Sequence, residues 1–428
     1  MFGCQQILIN PNPELKAVLE YICSEANKLH NCAVYYARQI YFKTQGYTSS
    51  FTLNTVLKNN PHYGALCAQA AQQVCGSVGE SVTSFRKLIK KFWSGELEFK
   101  PKFPNYRTKD GLQLIAYPKQ ALSQKLVDGR VVIPLGKKVQ AWFGLKNFSI
   151  QMPSNLEYAH IRELRILPRN GCFYAEFIYK VPAVATQLDL NLVLGIDPGL
   201  NNWLTCVSNA GTSMIVDGLH VKSLNRWYNK QVSTIKDGKP QGFWSKKLAS
   251  ITEKRNRQIR DAVNKAARQV INHCLTNQIG TIVFGWNKGM KDGSNLGGKT
   301  NQKFVQIPTA RLKERVQQLC EVYGIQFIET EESYTSKASF VDADPLPTFG
   351  EKPEGWQASG KRTKRGLYRT ANNWYINADC NGAANILRKV SITLGFDLSR
   401  VSRGVLTRPQ RFKLWSVKQQ CEASLQSA

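Results

Sequence analysis

Apolar residues recur at helical spacing in the first part of the chain, where Leu15, Val18, Leu19, Ile22, Ala26, Leu29, Ala33 and Tyr36 fall mostly three or four apart, up to Gly46. A second helix is expected from about residue 63 to 93, with Leu66, Ala70, Val74, Val78, Val82, Phe85, Ile89 and Phe92 on one face. Ahead of both, residues 5–10 read as a short strand closed by Pro11-Asn12-Pro13. Between 101 and 185 the rhythm changes. Short apolar segments at 112–117, 130–135, 148–152, 163–167 and 173–181 are parted by Gly, Pro and Asn, the strand-and-turn pattern of a small β-barrel or sandwich. With 5–10 as an added strand, the helical pair becomes an insertion in this β-domain.

From residue 192 the pattern turns α/β. Residues 192–196 are a continuous run closed by Asp197-Pro198-Gly199, as in a strand buried on both faces. Segments 204–208 and 213–217 flank Asn209-Ala210-Gly211, a hairpin signal. A helical stretch at 242–276 leads to a strand at 281–284. Pro308 opens a helix over 310–323, Gly324 ends it, and a strand follows at 325–328. A helix of small residues begins near 377. Strand, hairpin, helix, strand, helix, strand, helix is the plan of an RNase H-like fold, so the chain reads as α+β and multidomain.

Composition narrows the partner. Lys+Arg 58 against Asp+Glu 30 gives a formal net charge of +28, which favours a long polyanion. No apolar run approaches the ~18 residues of a membrane span, and Met1-Phe2-Gly3-Cys4 does not begin a secretory signal; a cytoplasmic protein is expected. Eleven scattered cysteines form no C-x-x-C pair and five isolated histidines share no helix face, so no zinc site is expected. Arg86, Lys87, Lys90 and Lys91 crowd the end of the second helix, where cations suit its dipole. Lys100, Lys102, Arg107, Lys109, Lys119 and Lys125 make the leading edge of the β-domain basic, and Lys254, Arg255 and Arg257 stand on the helix at 242–276.

Asp197 falls where the first α/β strand ends, and open α/β sheets bind ligands at the carboxyl ends of their strands. A carboxylate there is costly without a positive partner, and a divalent cation holding a phosphate oxygen supplies one. An aspartate capping its own turn would read the same way. Two-metal phosphodiester hydrolysis needs several carboxylates around cations ~3.5–4 Å apart. Asp379, on the last helix, is a second such group. A third is expected after Thr281-Ile282-Val283-Phe284, but Gly285 stands there. One strand over, Glu329-Thr330-Glu331-Glu332-Ser333-Tyr334 follows the next strand at the same sheet edge. Side chains alternate, so Glu331 and Glu332 cannot both point inward; Glu332 is the first choice and Glu331 the second. Asp217, Asp342 and Asp344 read as surface or turn residues, and the acidic triplet could itself be a solvated loop.

Gly195-Ile196-Asp197-Pro198-Gly199 resembles the first RuvC motif of the TnpB family, transposon-encoded RNA-guided nucleases related to type V CRISPR effectors. Asp379-Cys380-Asn381-Gly382-Ala383-Ala384-Asn385-Ile386 resembles the third, D-x-N-A-A-x-N-I, with Gly382 for the first alanine. Two departures stand out: Gly285 replaces the family's strand-four glutamate, and Tyr334-Thr335-Ser336-Lys337-Ala338-Ser339-Phe340 lacks the zinc-ribbon cysteines. The resemblance implies a branch with a relocated glutamate, in which Asp197, Glu332 and Asp379 are catalytic and hold two Mg²⁺ ions, Mn²⁺ being the alternative.

It also implies a domain plan: a wedge-type β-barrel at 1–10 and 96–190, an inserted helical recognition domain at 11–95, and an RNase H-like (RuvC) nuclease at 191–333 and 378–392. Residues 334–377 would be a target-nucleic-acid-binding insertion and 393–428 a basic tail with an amphipathic end at 414–427. Within the insertion Lys361, Arg362, Lys364, Arg365 and Arg369 interleave with Tyr368, Trp374 and Tyr375, which suits a nucleic-acid strand through charge and stacking, or else a flexible surface loop. The implied activity is Mg-dependent, RNA-guided DNA endonuclease cleavage by a monomer, with guide RNA from a transposon end or a CRISPR array and double-stranded DNA as target. The alternatives are a cleavage-dead RNA-guided repressor and an unguided RuvC-like transposon nuclease.

Overall fold

The computed structural model describes residues 1–123, 126–287 and 307–415; Lys125 and the end of the expected tail, 416–428, fall outside them. The chain forms two compact units, Met1–Val181 and Pro182–Ala428.

The first unit holds β1 (Phe2–Ile9), α1 (Pro13–Thr44), α2 (Ser50–Leu57), α3 (Pro61–Ala65), α4 (Ala68–Trp93), β2 (Ile115–Pro118), β3 (Arg130–Pro134), α5 (Lys137–Phe143), β4 (Asn147–Gln151), β5 (Ile161–Arg169) and β6 (Cys172–Lys180). Asn12 caps α1 by accepting from the Leu15 N–H, and Pro13 sits in the first turn where its missing N–H costs nothing. The helix expected over 63–93 is instead two: Asn60 caps a one-turn α3, buried Leu66 is extended, and α4 starts afresh at Ala68. The strands sort into an antiparallel sheet of order β1-β6-β5-β2 and a separate β3-β4 ribbon, where the sequence suggested a barrel. Helices and sheet share one apolar core, from Val18, Leu19 and Ile22 of α1 to Ile166 and Phe177 of the sheet.

The second unit holds β7 (Asp189–Pro198), β8 (Asn202–Ser208), β9 (Ser213–Asp217), α6 (Leu219–Lys236), α7 (Lys246–Thr276), β10 (Ile279–Gly285), α8 (Thr309–Tyr323), β11 (Gln326–Thr330), β12 (Lys361–Lys364), β13 (Leu367–Arg369), β14 (Tyr375–Asn377), α9 (Ala378–Leu394), α10 (Arg403–Thr407) and β15 (Gln410–Phe412). Its main sheet has the order β11-β10-β7-β8-β9-β15. β7, β8 and β9 form an antiparallel meander, while β10 and β11 join β7 in parallel, which is the RNase H-like plan expected from the sequence. The sixth strand, β15, pairs parallel to β9 and comes from the segment read as a tail.

Helices cover both faces of this sheet, so its central strands are apolar through their middles, and every residue of β10 is buried. On one face Leu194, Ile196 and Ile282 pack with Ile259, Ala266 and Val270 of α7 and Leu312 and Val316 of α8. On the other, Val193, Val207 and Val283 pack against Ala383, Ile386 and Leu387 of α9. The approach of α9 is close enough to need a glycine: a Cβ at Gly195 would lie 2.6 Å from Leu387 Cγ and 2.7 Å from the Ala383 carbonyl. That contact sets the start of α9 beside the end of β7, where the acidic residues lie. Gly195→Ala is expected to destabilise this unit by ~1–3 kcal/mol through overpacking. Thermal unfolding checks it, and an unchanged midpoint would mean that α9 backs away without cost.

Candidate active site

Alternation along β7 turns Val193 and Gly195 toward α9, and Asp197 follows them onto that face. Its carboxylate lies against the first turns of α9: a Cβ at Gly382 would stand 2.5 Å from Asp197 Oδ2. Gly382, the residue that departs from the alanine of the resembled motif, is therefore what admits this carboxylate. Burial, then the neighbouring charges of Glu332 and Asp379, hold the Asp197 carboxyl well above its usual range, and Arg362 opposes them.

Gly285 ends β10, and β11 runs parallel beside it with Gly285 opposite Thr330. Two residues on, Glu332 folds back toward the neighbouring strand. A Cβ at Gly285 would lie 3.1 Å from Glu332 Oε2, so this carboxylate stands next to where a strand-four side chain would begin. Asn287 fixes the turn by accepting from the Glu332 N–H at 3.1 Å. Glu332 Oε2 is buried with no hydrogen-bond partner, and burial, with the Glu331 charge added, pushes the carboxyl up to about 7 against the pull of Lys389. Glu331 has the opposite fate. It is ion-paired with Lys389 and accepts from the Ser333 N–H, and these contacts outweigh its desolvation to hold it below the ordinary glutamate range.

Asp379 occupies the first turn of α9, whose N-cap Asn377 accepts from the Asp379 and Cys380 N–H groups. One carboxylate oxygen accepts from Arg362 Nη2 at 2.6 Å and the other from Asn202 Nδ2 at 2.6 Å. Asn202, at the start of β8, accepts in turn from Arg411 Nη1 at 3.0 Å, and the same nitrogen reaches Asp217 Oδ2 at 3.0 Å. Asp197, Asn202, Asp217, Arg362, Arg365, Asp379, Arg411 and Lys413 line a cleft of about 750 Å³ with an acidic floor and a basic rim. Glu332 is not on its wall and acts on Asp197 through charge.

The surface reading of three acids is corrected here. Asp217 is buried at the cleft, accepting from Arg411 and from the Leu219 N–H at the start of α6. Asp344 is buried too, taking the Ser339 and Ser359 N–H groups, while half-buried Asp342 gathers the Ser339 and Ser359 hydroxyls and the Ala371 N–H. All three tie down turns: Asp217 the one between β9 and α6, Asp342 and Asp344 those of the segment before β12. The basic insertion is a three-stranded antiparallel sheet of order β12-β13-β14, anchored by buried Tyr368, whose hydroxyl donates to the Lys337 carbonyl. It brings Arg362 to the acids and leaves Lys361, Lys364 and Arg365 exposed, with Arg369 half-buried.

On α7, Lys254 is exposed and Arg257 half-buried. Arg255 is turned inward, donating twice to Asn225 Oδ1 of α6. In the first unit Arg86, Lys87, Lys90 and Lys91 are all exposed on α4, Arg86 lying over the Tyr47 ring and Lys91 near Glu96.

Among the described residues no three His, Cys, Asp or Glu side chains are gathered into a closed metal cage. The donor set nevertheless suits a hard divalent cation: oxygen ligands only, two carboxyls raised by burial and by neighbouring acids, and a buried Glu332 oxygen without a partner.

Residues 176–291 match a family model described as a probable transposase, OrfB_IS605, the family of TnpB. The matched segment resembles that family. It takes in β7 to β10, and hence Asp197 and Gly285. A solved Cas12f1–sgRNA–target DNA complex shares its fold at 15% identity and a TM-score of 0.56, covering 88% of this chain and 83% of that one. A mini-RNA-guided endonuclease, CRISPR-Cas_phi3, aligns at 11% identity and a TM-score of 0.40 over 91% and 92% of the two chains. No curated protein sequence matches.

Glu332 carries a pH signature. Its carboxyl titrates near 7 in the folded chain against 4.5 for the free side chain, so between those pH values the folded state keeps a proton that the unfolded chain has lost. Stability attached to that proton falls as pH rises through the window. Glu332→Gln, neutral at every pH, should therefore be the more stable chain at pH 8 in chelator, by up to about 3 kcal/mol. The advantage should vanish below pH 4.5. Thermal midpoints across that range check it; a difference independent of pH would contradict the burial of an ionisable carboxyl here.

Proposed function

We propose that the chain is an RNA-guided DNA endonuclease whose RuvC-type site hydrolyses phosphodiester bonds, with Asp197, Glu332 and Asp379 as its catalytic, Mg²⁺-holding carboxylates. The observation that carries this reading is the place of Glu332: its carboxylate stands beside Gly285, at the end of the strand next to Asp197. A strand-four carboxylate is thereby replaced in space by one from the neighbouring strand. Glu331 is not available for the role, because Lys389 and Ser333 already hold it.

Bound Mg²⁺ (or Mn²⁺) would supply charge neutralisation on the phosphate and an activated water. The residues of the chain do the rest. The basic rim of Arg365 and Lys413 holds phosphates over the acidic floor. Arg362, from the small sheet, meets Asp379 and stands where a phosphate would arrive. Asn202 fixes one oxygen of Asp379 so that the carboxylate keeps its aim.

The partners follow from charge and likeness. A net +28 needs a polyanion, and a solved structure that shares this fold is a complex with sgRNA and target DNA. In this reading the first unit supplies the wedge and recognition functions, with Arg86, Lys87, Lys90 and Lys91 on phosphates. Lys361, Lys364, Arg365 and Arg369 track the target strand, and Lys254 and Arg257 add to the RNA surface. The protein works as a monomer in the cytoplasm.

RNA co-purified with the protein identifies the guide, and the loaded complex is then incubated with matching DNA and Mg²⁺. Asp197→Asn, Glu332→Gln and Asp379→Asn should each lower cleavage by more than the ~100-fold that an outer-shell change costs, while DNA binding is retained. Glu331→Gln should still cut. Tight binding without cutting by the parent chain would establish the repressor reading instead, and cutting without RNA the unguided one.

A further inference from the structure

The segment after α9 enters the cleft beside the acids themselves. α10 and β15 bring the chain back to the sheet, where β15 pairs with β9 in the register Arg411↔Ile215. Arg411 is thereby placed to touch Asn202 and Asp217 together. Its partners lie 209 and 194 residues away, so this is a tertiary arrangement and no local accident.

The chemistry of Asn202 gives the contact its meaning. A carboxamide has one donating and one accepting end, and its orientation follows from its partners. Asp379 Oδ2 needs a donor at 2.6 Å. If the amide turned over, its oxygen would face the carboxylate and repel it. Arg411 can only donate, so its contact with Asn202 Oδ1 requires the orientation that presents Nδ2 to Asp379. Asp217 completes the arrangement. It is buried, it holds the guanidinium by an ion pair, and it neutralises Arg411, so that the site does not lose the negative charge a cation needs. Arg362 differs, because it pairs with Asp379 directly and its charge competes with a cation there.

We propose that Arg411 is a positioning residue of the nuclease site: anchored by Asp217, it locks the Asn202 amide so that Asp379 is held in the geometry that binds a divalent metal. The segment from α10 to β15 is then part of the nuclease domain. This inference rests on the reading of Asp379 as a metal ligand.

The test is a Mn²⁺ titration of the full-length, RNA-free chain followed by electron paramagnetic resonance of free Mn²⁺, with thermal midpoints alongside. Arg411→Ala should weaken Mn²⁺ binding about 5- to 10-fold, toward the low end of what outer-shell changes cost, and Arg411→Lys should recover part of it. Arg362→Ala should do the opposite and tighten binding, which a general loosening of the fold would not produce. Should Arg411→Ala not fold, Arg411→Met keeps the apolar stem and is read in the same way. Wild type and Arg411→Ala binding Mn²⁺ equally would overturn this inference alone. A wild type with no Mn²⁺ bound would overturn the reading of the acidic site itself.

Discussion

Like charges held together at the end of a sheet are the constraint around which the second unit is built. After burial, the Glu332 charge raises the proton affinity of Asp197, and both residues are half-buried. Two unit charges ~4 Å apart at an effective dielectric of ~20 repel by about 4 kcal/mol, so the fold must impose such a meeting. It does so by packing. α9 lies so close to β7 that glycine is required at 195, and the same approach leaves no room for a Cβ at 382 once Asp197 is in place. The crowding at Gly285 comes from Ile386 of α9 and from Glu332 itself. Apolar contacts of Val193, Ala383, Ile386 and Leu387 supply the favourable energy against which the repulsion is set.

This explains which parts of the molecule could be read from the chain alone. The central strands and α7, α8 and α9 bury continuous or periodic apolar residues, and their pattern is legible. α6 was missed because only Val221 and Asn225 among its residues are buried, too few to mark a helical face. β15 is three residues long, and pairing with β9 alone makes it a strand. Asp197 and Asp379 stand in motifs, and the displaced glutamate left a trace in the acidic triplet after β11. Asn202, Arg411 and Asp217 left none as a group. Their roles come from contacts spanning 177 to 209 residues, which no local pattern records.

The large basic excess is likewise uneven in what it does. Arg255 is spent within the fold, bracing α7 against α6 through Asn225, and burial lowers its proton affinity. Lys389 is spent on Glu331 and Arg411 on Asp217. Lys254, Lys361, Lys364, Arg365 and the α4 cluster are exposed, and these carry the charge a polyanion can meet. Sequence position alone does not separate Lys254 from Arg255; the side of the helix each faces does.

The same sorting, applied to the cleft, makes its electrostatics specific. Around Asp197, Glu332 and Asp379 the other acids are matched within the fold, Glu331 by Lys389 and Asp217 by Arg411. What is left is three carboxylates, of which Asp379 is ion-paired with Arg362, an exposed residue joined to the site through the small sheet. An unbalanced acidic site is costly unless protons or cations occupy it, and the raised carboxyls of Asp197 and Glu332 favour protons in that role. A divalent cation would displace those protons, so its affinity should rise with pH as they leave. Burial that would be a defect in a structural carboxylate thus becomes, at this sheet edge, the source of the preference for a cation.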